Sequence, residues 1–282
     1  MDWPRPGGAT ARGSLLFAGG RGDFIEKYLE AYADWHAAGW NVTAFDWRGQ
    51  GASQGSLKDG NLASFDGLID DLEALIADWR ASGPGPHVAV AHSMGGHMLL
   101  RTLAERQPPL DAAVLVAPMI RVNSAPMSPA LAPWISSFMC LIGLSGAPVF
   151  KAPKKLAEPG SRRQHYLTRS DERYADELWW WAQEPSFHLG GPSWAWMRAA
   201  YRSAAAAFRP AVLARVAVPV LLLGAERDRL VSAEAIRDAA RWIPGAELKM
   251  YPDAAHEILR EADPVRDDAL ATIEDFFTRR IL

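Results

Sequence analysis

HVAVAHSMGGHMLLRTLAER, from His87 to Arg106, is the stretch of sequence that decides the fold. It begins with the alternating apolar residues of a strand, passes through a turn of small residues, and continues with the spacing of an amphipathic helix. Ser93 lies at the turn. A serine at such a sharp turn projects from the carboxyl end of its strand. The N-terminus of the following helix favours negative charge at that point.

The residues around Ser93 match the nucleophile-elbow pattern G-x-S-x-G, with Ala91 in place of the first glycine and Gly95 as the second. Alanine is the smallest replacement for glycine, so we expect the turn to form. The alternative interpretation is a capped helix start in which Ser93 is a structural turn residue. Suitable partners elsewhere in the chain would favour the first interpretation over the second.

The composition narrows the class of protein. The chain has 282 residues, of which 49% are hydrophobic, and a net charge of −3. That length suits one large α/β domain with an insertion, or two modest domains. The near-neutral charge gives no electrostatic indication of binding to nucleic acid or to an anionic membrane. The single cysteine, Cys140, excludes an intramolecular disulfide and a cysteine-rich metal site. We see no signal segment and no apolar run of about 20 residues, and therefore expect a cytoplasmic protein.

Strand-like and helix-like segments alternate over two parts of the chain, which predicts βαβ units and a parallel sheet. The predicted strands are Ser14–Phe17, Asn41–Phe45, His87–Ala91, Ala112–Val116, Val218–Leu223 and Glu247–Tyr251. Besides the helix after the elbow, the predicted helices are Phe24–Ala38, Leu62–Ala81, Ala233–Trp242 and Val265–Arg279. Asp23 is placed to cap the first of these helices, and Gly39 is placed to end it.

Residues 120–209 interrupt the alternation and contain no strand-like run. We interpret them as a helical cap, or lid, over the carboxyl edge of the strands, where sheets of this kind bind ligands. Residues 1–119 and 210–282 would then form the core. The basic residues at Lys151–Lys155, Arg162 and Arg163 are interpreted as a solvated face, with contact to a phosphate headgroup as the alternative. The inserted block also carries six tryptophans, of which we expect half or more to pack inside the cap: Trp134, Trp179, Trp180, Trp181, Trp194 and Trp196.

A serine nucleophile needs a histidine to take its proton and an acid to orient that histidine. Of the seven histidines, His256 alone lies in a loop just after the last predicted strand, where it can reach Ser93. Asp228 or Glu226 would emerge beside it from the end of the preceding strand. Asp253 is close in sequence, but its loop already carries the histidine. The alternative interpretation of His256 is a surface loop histidine.

Acyl transfer also needs hydrogen-bond donors aimed at the developing oxyanion. One is the backbone N–H of Met94, the residue after the serine. Another should come from the loop Gly19–Gly22, whose glycines permit close backbone approach. The rival interpretation of this loop is a nucleotide-binding turn, but neither G-x-G-x-x-G nor G-x-x-x-x-G-K-[ST] is present. No H-E-x-x-H or other metal spacing is found, so we expect neither a cofactor nor a metal ion.

Several segments together resemble the lysophospholipase L2 and monoacylglycerol lipase branch of the α/β-hydrolases, also called serine aminopeptidase S33-like hydrolases. The similar segments are Phe24–Tyr28, Asp46–Ser53, Ala91–Gly96, Asp228 and His256–Glu257, and the resemblance extends from Ser14 onward. It implies an α/β-hydrolase fold with a mostly parallel central sheet, helices on both faces and an inserted cap. It also implies roles for five residues: Ser93 as nucleophile, His256 as base, Asp228 as acid, and the amides of Arg21 and Met94 as oxyanion hole.

The chain departs from the family pattern at three places. Gly19 stands where the family often has histidine, and Ala91 stands in the elbow where it has glycine. Few residues precede the first predicted strand, where the family usually has an antiparallel pair, so we expect an incomplete sheet edge.

The resemblance implies a serine hydrolase of carboxylic esters that carry one acyl chain, such as lysophospholipids or monoacylglycerols, acting through an acyl-enzyme intermediate. The alternatives are an amidase, peptidase or C–C hydrolase on the same triad, and a non-catalytic relic that binds a small ligand. As partners we expect an ester or lipid substrate, no nucleic acid, and transient contact with a membrane surface.

Overall fold

A computed structural model describes residues 1–4, 11–55, 60–150 and 158–281. Seven strands of these residues form one sheet: β1 (Asp2–Trp3), β2 (Gly13–Ala18), β3 (Trp40–Phe45), β4 (His87–His92), β5 (Ala112–Val116), β6 (Val220–Ala225) and β7 (Glu247–Tyr251). The order across the sheet is β1-β3-β2-β4-β5-β6-β7. All neighbours are parallel except β1 and β3, which are antiparallel. The prediction of a mostly parallel sheet is therefore confirmed. The antiparallel strand β1, two residues long, lies at the sheet edge that we expected to be incomplete.

Ten α-helices connect and cover the strands in the described part of the chain. They are α1 (Leu29–Ala37), α2 (Asp66–Ser82), α3 (Ser93–Glu105), α4 (Ala132–Leu141), α5 (Arg162–Leu167), α6 (Asp171–Gln183), α7 (Trp194–Ala207), α8 (Pro210–Leu213), α9 (Ala233–Trp242) and α10 (Asp263–Ile281). None of these helices combines the length and the apolar character needed to cross a membrane.

Side chains alternate between the two faces of each strand, and both faces of the central strands are buried. On β2, Leu16 belongs to the core cluster that includes residues of α2, α3 and α9. Its neighbours Leu15 and Phe17 belong to the opposite cluster, with residues of α1 and α10. Because helices cover both faces of the sheet, the ends of the strands and the loops that follow them are the places where a site can form.

The prediction that Asp23 caps a helix beginning at Phe24 is wrong. A 3₁₀ turn comes first, at Ile25–Tyr28, and the side chain of its N-cap residue makes no capping hydrogen bond. The Asp23 carboxylate instead accepts a hydrogen bond from the Gly20 amide and binds Lys27. These contacts hold the carboxylate in the loop, away from the helix start.

Between β5 and β6, the described residues contribute helices α4 to α8 but no strand to the sheet. Lys151–Lys155 lies outside the described residues. Arg163 does not belong to a solvated face, because its guanidinium makes two hydrogen bonds with the buried Glu177. Of the six tryptophans, only Trp196 is fully buried, and two are more than half exposed: Trp134 at 76% and Trp179 at 53%. The remaining three, Trp180, Trp181 and Trp194, are half-buried, and the expectation that half or more of the six pack inside this segment stays a prediction.

Candidate active site

Ser93 occupies the strained turn that the sequence predicts. Its φ is +52°, in the left-handed region, which a residue other than glycine adopts at a cost of about 1–2 kcal/mol. Strand β4 ends at His92, and α3 begins at Ser93 itself. The elbow forms with alanine at position 91, whose side chain is fully buried. The serine is half-buried and lies at the carboxyl edge of the sheet.

The close fit around Ser93 explains why its neighbours are small. A Cβ atom on Gly95 would lie 2.4 Å from the carbonyl oxygens of Ala18 and Gly19. A Cβ atom on Gly20 would lie 2.9 Å from the Cβ of Ser93. Glycine at these two positions lets α3 and the loop after β2 meet at the serine.

His256 and Asp228 complete a chain of hydrogen bonds that begins at Ser93. The Ser93 hydroxyl donates to Nε2 of His256 over 2.8 Å, and Nδ1 of His256 donates to Oδ2 of Asp228 over 2.6 Å. The histidine and the aspartate are buried. The three residues follow β4, β7 and β6, so strands far apart in sequence bring them to one edge. This arrangement is the one a serine nucleophile requires.

The structure distinguishes Asp228 from the other two acids near His256. Oδ1 of Asp228 accepts hydrogen bonds from the amides of Leu230 and Val231, at 2.7 and 3.0 Å, which fix the carboxylate in place. Glu226 instead forms an ion pair with Arg237. Asp253 is exposed and lies 3.5 Å from Arg227. Of the two acids considered at the end of the strand, only Asp228 is therefore hydrogen-bonded to the histidine.

The surroundings of His256 set its proton affinity. Burial by itself lowers the pKa of His256, but the Asp228 carboxylate outweighs burial, and the pKa lies above the ordinary value for histidine. The ring of His92 lies 4.8 Å from that of His256, between ring centroids. Burial lowers the pKa of His92 to about 4, so this second histidine is neutral at pH 7.

The loop after β2 presents backbone amides next to the serine. The Gly20 amide donates to Asp23 over 2.6 Å, and the Gly22 amide donates to Gln50. Met94 is the second residue of α3, one of the first four positions, whose N–H groups have no partner within the helix. The oxyanion hole formed by the amides of Arg21 and Met94 stays a prediction.

Sequence reasoning missed a group of six charged side chains beside this site, called here the ionic cluster. Its members are Asp23, Lys27, Arg163, Glu177, Glu257 and Arg260. Its local signals were the spacing of Asp23 and Lys27, four residues apart, and that of Glu257 and Arg260, three residues apart. In the part of the chain that the structure describes, no three His, Cys, Asp or Glu residues are grouped to hold a metal ion.

The parallel sheet, together with a serine on a strained turn between strand and helix, defines the class of protein as an α/β-hydrolase. The chain matches the family "Serine aminopeptidase, S33" over residues 9–263, and it belongs to that family. It is 31% identical to lysophospholipase L2 of Escherichia coli strain K12, over 94% of this chain and 80% of that protein. It is 25% identical to the monoacylglycerol lipase of Mycolicibacterium smegmatis, over 93% and 88%.

Solved structures show the same fold. A soluble variant of monoglyceride lipase from Saccharomyces cerevisiae superposes with a TM-score of 0.77 at 18% identity, over 99% of this chain and 91% of that one. Monoacylglycerol lipase from Paleococcus ferrophilus gives a TM-score of 0.74 at 18% identity, over 99% and 97%. The α/β-hydrolase fold and the family that the sequence resembles are thus confirmed, and the chain is an ester-hydrolysing α/β-hydrolase.

The raised pKa of His256 predicts the pH dependence of ester hydrolysis. As the predicted base, His256 would take the serine proton only when neutral, so kcat/KM should rise with pH through a pKa above the ordinary value for histidine. Asp228→Asn removes the carboxylate that raises this pKa, whereas the burial that lowers it remains. The rise of kcat/KM at acid pH, called here the acid limb, should therefore move to lower pH. The same change should lower kcat by up to about 10⁴-fold.

The pH profile of kcat/KM for a soluble chromogenic ester measures both effects. Glu226→Gln is the matched control, because Glu226 is paired with Arg237 away from the histidine. An acid limb that stays in place in Asp228→Asn, or a greater loss in Glu226→Gln, would show that Asp228 does not orient His256.

Proposed function

We propose that the chain is a serine hydrolase of esters that carry a single acyl chain, such as lysophospholipids or monoacylglycerols. The observation that carries the proposal is the continuous hydrogen-bonded chain from Ser93 through His256 to Asp228. The names of the relatives support the substrate class, since they include a lysophospholipase L2 and a monoacylglycerol lipase.

The geometry supports a two-step reaction through an acyl-enzyme. Nε2 of His256 takes the proton as Ser93 Oγ attacks the ester carbonyl carbon, and Asp228 stabilises the imidazolium that forms. The tetrahedral oxyanion is bound by the amide of Met94, at the N-terminus of α3, and by the amide of Arg21, in the loop after β2. His256 then protonates the departing alcohol. In the second step His256 takes a proton from water, which attacks the acyl carbon of the acyl-serine. His256 then returns this proton to Ser93 Oγ as the bond between Oγ and the acyl carbon breaks and the fatty acid leaves.

We propose that residues 120–209 form a cap over this site. The Arg21 guanidinium lies 5.2 Å from the ring centroid of Trp196 on α7 and donates to the Gly190 carbonyl over 2.8 Å. Phe187 stacks on Phe24, with ring centroids 4.9 Å apart. These contacts bring apolar side chains of the segment to the loop after β2, where an acyl chain would lie.

Helix α4 of this segment carries an apolar face that is exposed. Trp134, Phe138 and Leu141, with Leu131 just before the helix, recur every three or four positions, and Leu141 is 82% exposed. No charged residue occurs between positions 122 and 150, and Lys151, Lys154 and Lys155 follow in the sequence. Exposed apolar and aromatic side chains, in a segment whose sequence also contains lysines, are typical of proteins that bind an anionic lipid surface. We propose that this face contacts the bilayer that holds the substrate.

The reaction class is tested with a fluorophosphonate probe and a substrate panel. Intact mass should show one adduct on the wild-type chain and on the control Ser53→Ala, but none on Ser93→Ala. Wild-type protein should hydrolyse lysophosphatidylcholine or monoacylglycerol in preference to aminoacyl amides, and Ser93→Ala should lose this activity by orders of magnitude. An adduct on Ser93→Ala would refute the nucleophile. Preference for the amide would favour a peptidase, and an unlabelled, inactive wild type would indicate a relic.

The lipid contact is tested with vesicles that contain phosphatidylglycerol. Trp134→Ser removes the largest apolar side chain of the α4 face, so vesicle binding should fall by at least about tenfold. Activity on a soluble short-chain ester should stay unchanged. Trp179→Ser, at the other highly exposed tryptophan of the segment, is the control and should bind normally. Equal binding of the two variants would refute the proposal. Loss of self-association in Trp134→Ser, without loss of vesicle binding, would make the face an interface between copies.

A further inference from the structure

The ionic cluster joins three parts of the chain that are far apart in sequence. Asp23 and Lys27 lie on the loop after β2 and the turn that follows it. Glu257 lies in the histidine loop after β7, and Glu177 lies on α6 of the 120–209 segment. These four side chains are 0–6% exposed.

Lys27 is the centre of the cluster. Its Nζ lies 2.8 Å from Oδ1 of Asp23, 2.6 Å from Oε1 of Glu257 and 3.3 Å from Oε1 of Glu177. One buried ammonium group therefore binds a carboxylate from each of the three parts. Because the lysine has three protons to donate, it matches three acceptors.

Two arginines complete the charge balance. Arg163 donates two hydrogen bonds to Glu177, at 3.0 and 2.8 Å. Nη1 of Arg260 lies 2.7 Å from Glu257 and 3.9 Å from Glu177. The cluster thus contains three cations and three carboxylates. Removing one carboxylate would leave a buried positive charge without compensation, which proteins tolerate poorly.

The carboxylates are ionised at neutral pH. Burial by itself raises the pKa of Glu177, but Lys27 and Arg163 outweigh burial and hold this pKa below its ordinary value. Burial also opposes ionisation of Glu257, yet Lys27 and Arg260 lower its pKa to about 2. The same competition, with Lys27 as the main partner, lowers the pKa of Asp23 to about 2.

The cluster connects to the backbone around the reacting serine. The other oxygen of Asp23 accepts the 2.6 Å hydrogen bond from the Gly20 amide, and Gly20 packs against Ser93. This loop therefore depends on the position of Asp23, which Lys27 binds. An ion pair of the cluster thus fixes the glycine loop beside the nucleophile.

The loop that carries His256 is hydrogen-bonded to the 120–209 segment, which also carries Glu177. The amides of His256 and Glu257 donate to the carbonyls of Tyr166 and Leu167, at 3.2 and 2.7 Å. The Thr168 hydroxyl donates to the Arg260 carbonyl over 2.6 Å. The end of α5 thus serves as a support for the loop that carries His256.

We propose that Glu177 is a positioning residue for the reaction: by binding Lys27 and Arg163, it fixes α5 and α6 against the glycine loop and the histidine loop, and so aligns His256 with Ser93. This inference rests on the proposed function. Glu177 touches no reacting atom in this account. Its effect reaches the serine through Lys27 and Asp23, and reaches the histidine through the end of α5.

Glu177→Gln tests the inference, since glutamine keeps the size of the side chain and removes its charge. Misalignment of the base and the nucleophile should lower kcat by about 10–100-fold. KM should change by less than about twofold, because the substrate contacts remain. A looser cap without misalignment would instead raise KM at unchanged kcat.

The pH profile supplies a second readout. His256 faces Asp228, Asp23, His92 and its neighbour Glu257. Glu177→Gln gives the cluster a net positive charge, which disfavours the imidazolium, so the acid limb of kcat/KM should move to lower pH. Glu172→Gln is the matched control, because it removes an exposed carboxylate from the same helix. It should leave kcat and the acid limb unchanged.

The outcomes separate this inference from the proposed function. If the wild-type chain neither hydrolyses esters nor reacts with a fluorophosphonate, the proposed function fails. If the wild type is active and Glu177→Gln matches Glu172→Gln in kcat and pH profile, the positioning role fails. If Glu177→Gln does not fold, Glu177→Asp keeps the charge on a shorter side chain. Glu177→Asp should then lower kcat and leave the acid limb in place. A kcat equal to that of the wild type would overturn the inference.

Discussion

The close approach of α3 to the end of β2 is the constraint on which the rest of the site depends. Gly95 lies so near the Ala18 and Gly19 carbonyls that a methyl group has no room there. This contact brings the N-terminus of α3 beside the glycine loop, and it places Ser93 where the loops after β6 and β7 end. The positive φ of Ser93 is the cost of that geometry, and the packed sheet around it maintains the strain.

Buried ion pairs are the second constraint on the structure. They hold one part of the 120–209 segment against the core but do not hold the other. Helices α5 and α6 are bound to the core by ion pairs and by backbone hydrogen bonds to the histidine loop. Helix α4 instead presents an apolar face to its surroundings. In the cap that we propose, the anchored part lies next to His256, and the exposed part is available for contact with lipid.

The sequence predicted the features that local patterns encode. The elbow at Ser93 depends on adjacent small residues, and Ala233–Trp242 and Glu247–Tyr251 were predicted with the bounds that the structure has, since periodicity and turn residues determine them. Strand β4 was predicted one residue short, because His92 is polar yet continues the ladder. The loop positions of His256 and Asp228 followed from the strand order expected for this class, although the residues alone left Glu226 open.

Features that depend on tertiary contacts were missed or wrong. Lys27 and Glu257 are 230 positions apart, and no local pattern indicates that they meet. Asp23 was assigned to a helix cap because its spacing to the helix was suitable, whereas a buried lysine determines its position. Which of the six tryptophans are exposed could not be predicted either: Trp134 is 76% exposed, because exposure depends on what covers a helix face. Such contacts form only in the folded chain, so the pattern of the sequence does not indicate them.

The central claim is that the hydrogen-bonded Ser93, His256 and Asp228 perform covalent catalysis. Pre-steady-state hydrolysis of a p-nitrophenyl ester, followed by peptide mapping of the quenched enzyme, tests it most directly. The account predicts a burst of nitrophenol close to one equivalent per chain, with the acyl group on the peptide that contains Ser93. Steady turnover without a burst or an acylated peptide, or an acyl group mapped to a different residue, would contradict it.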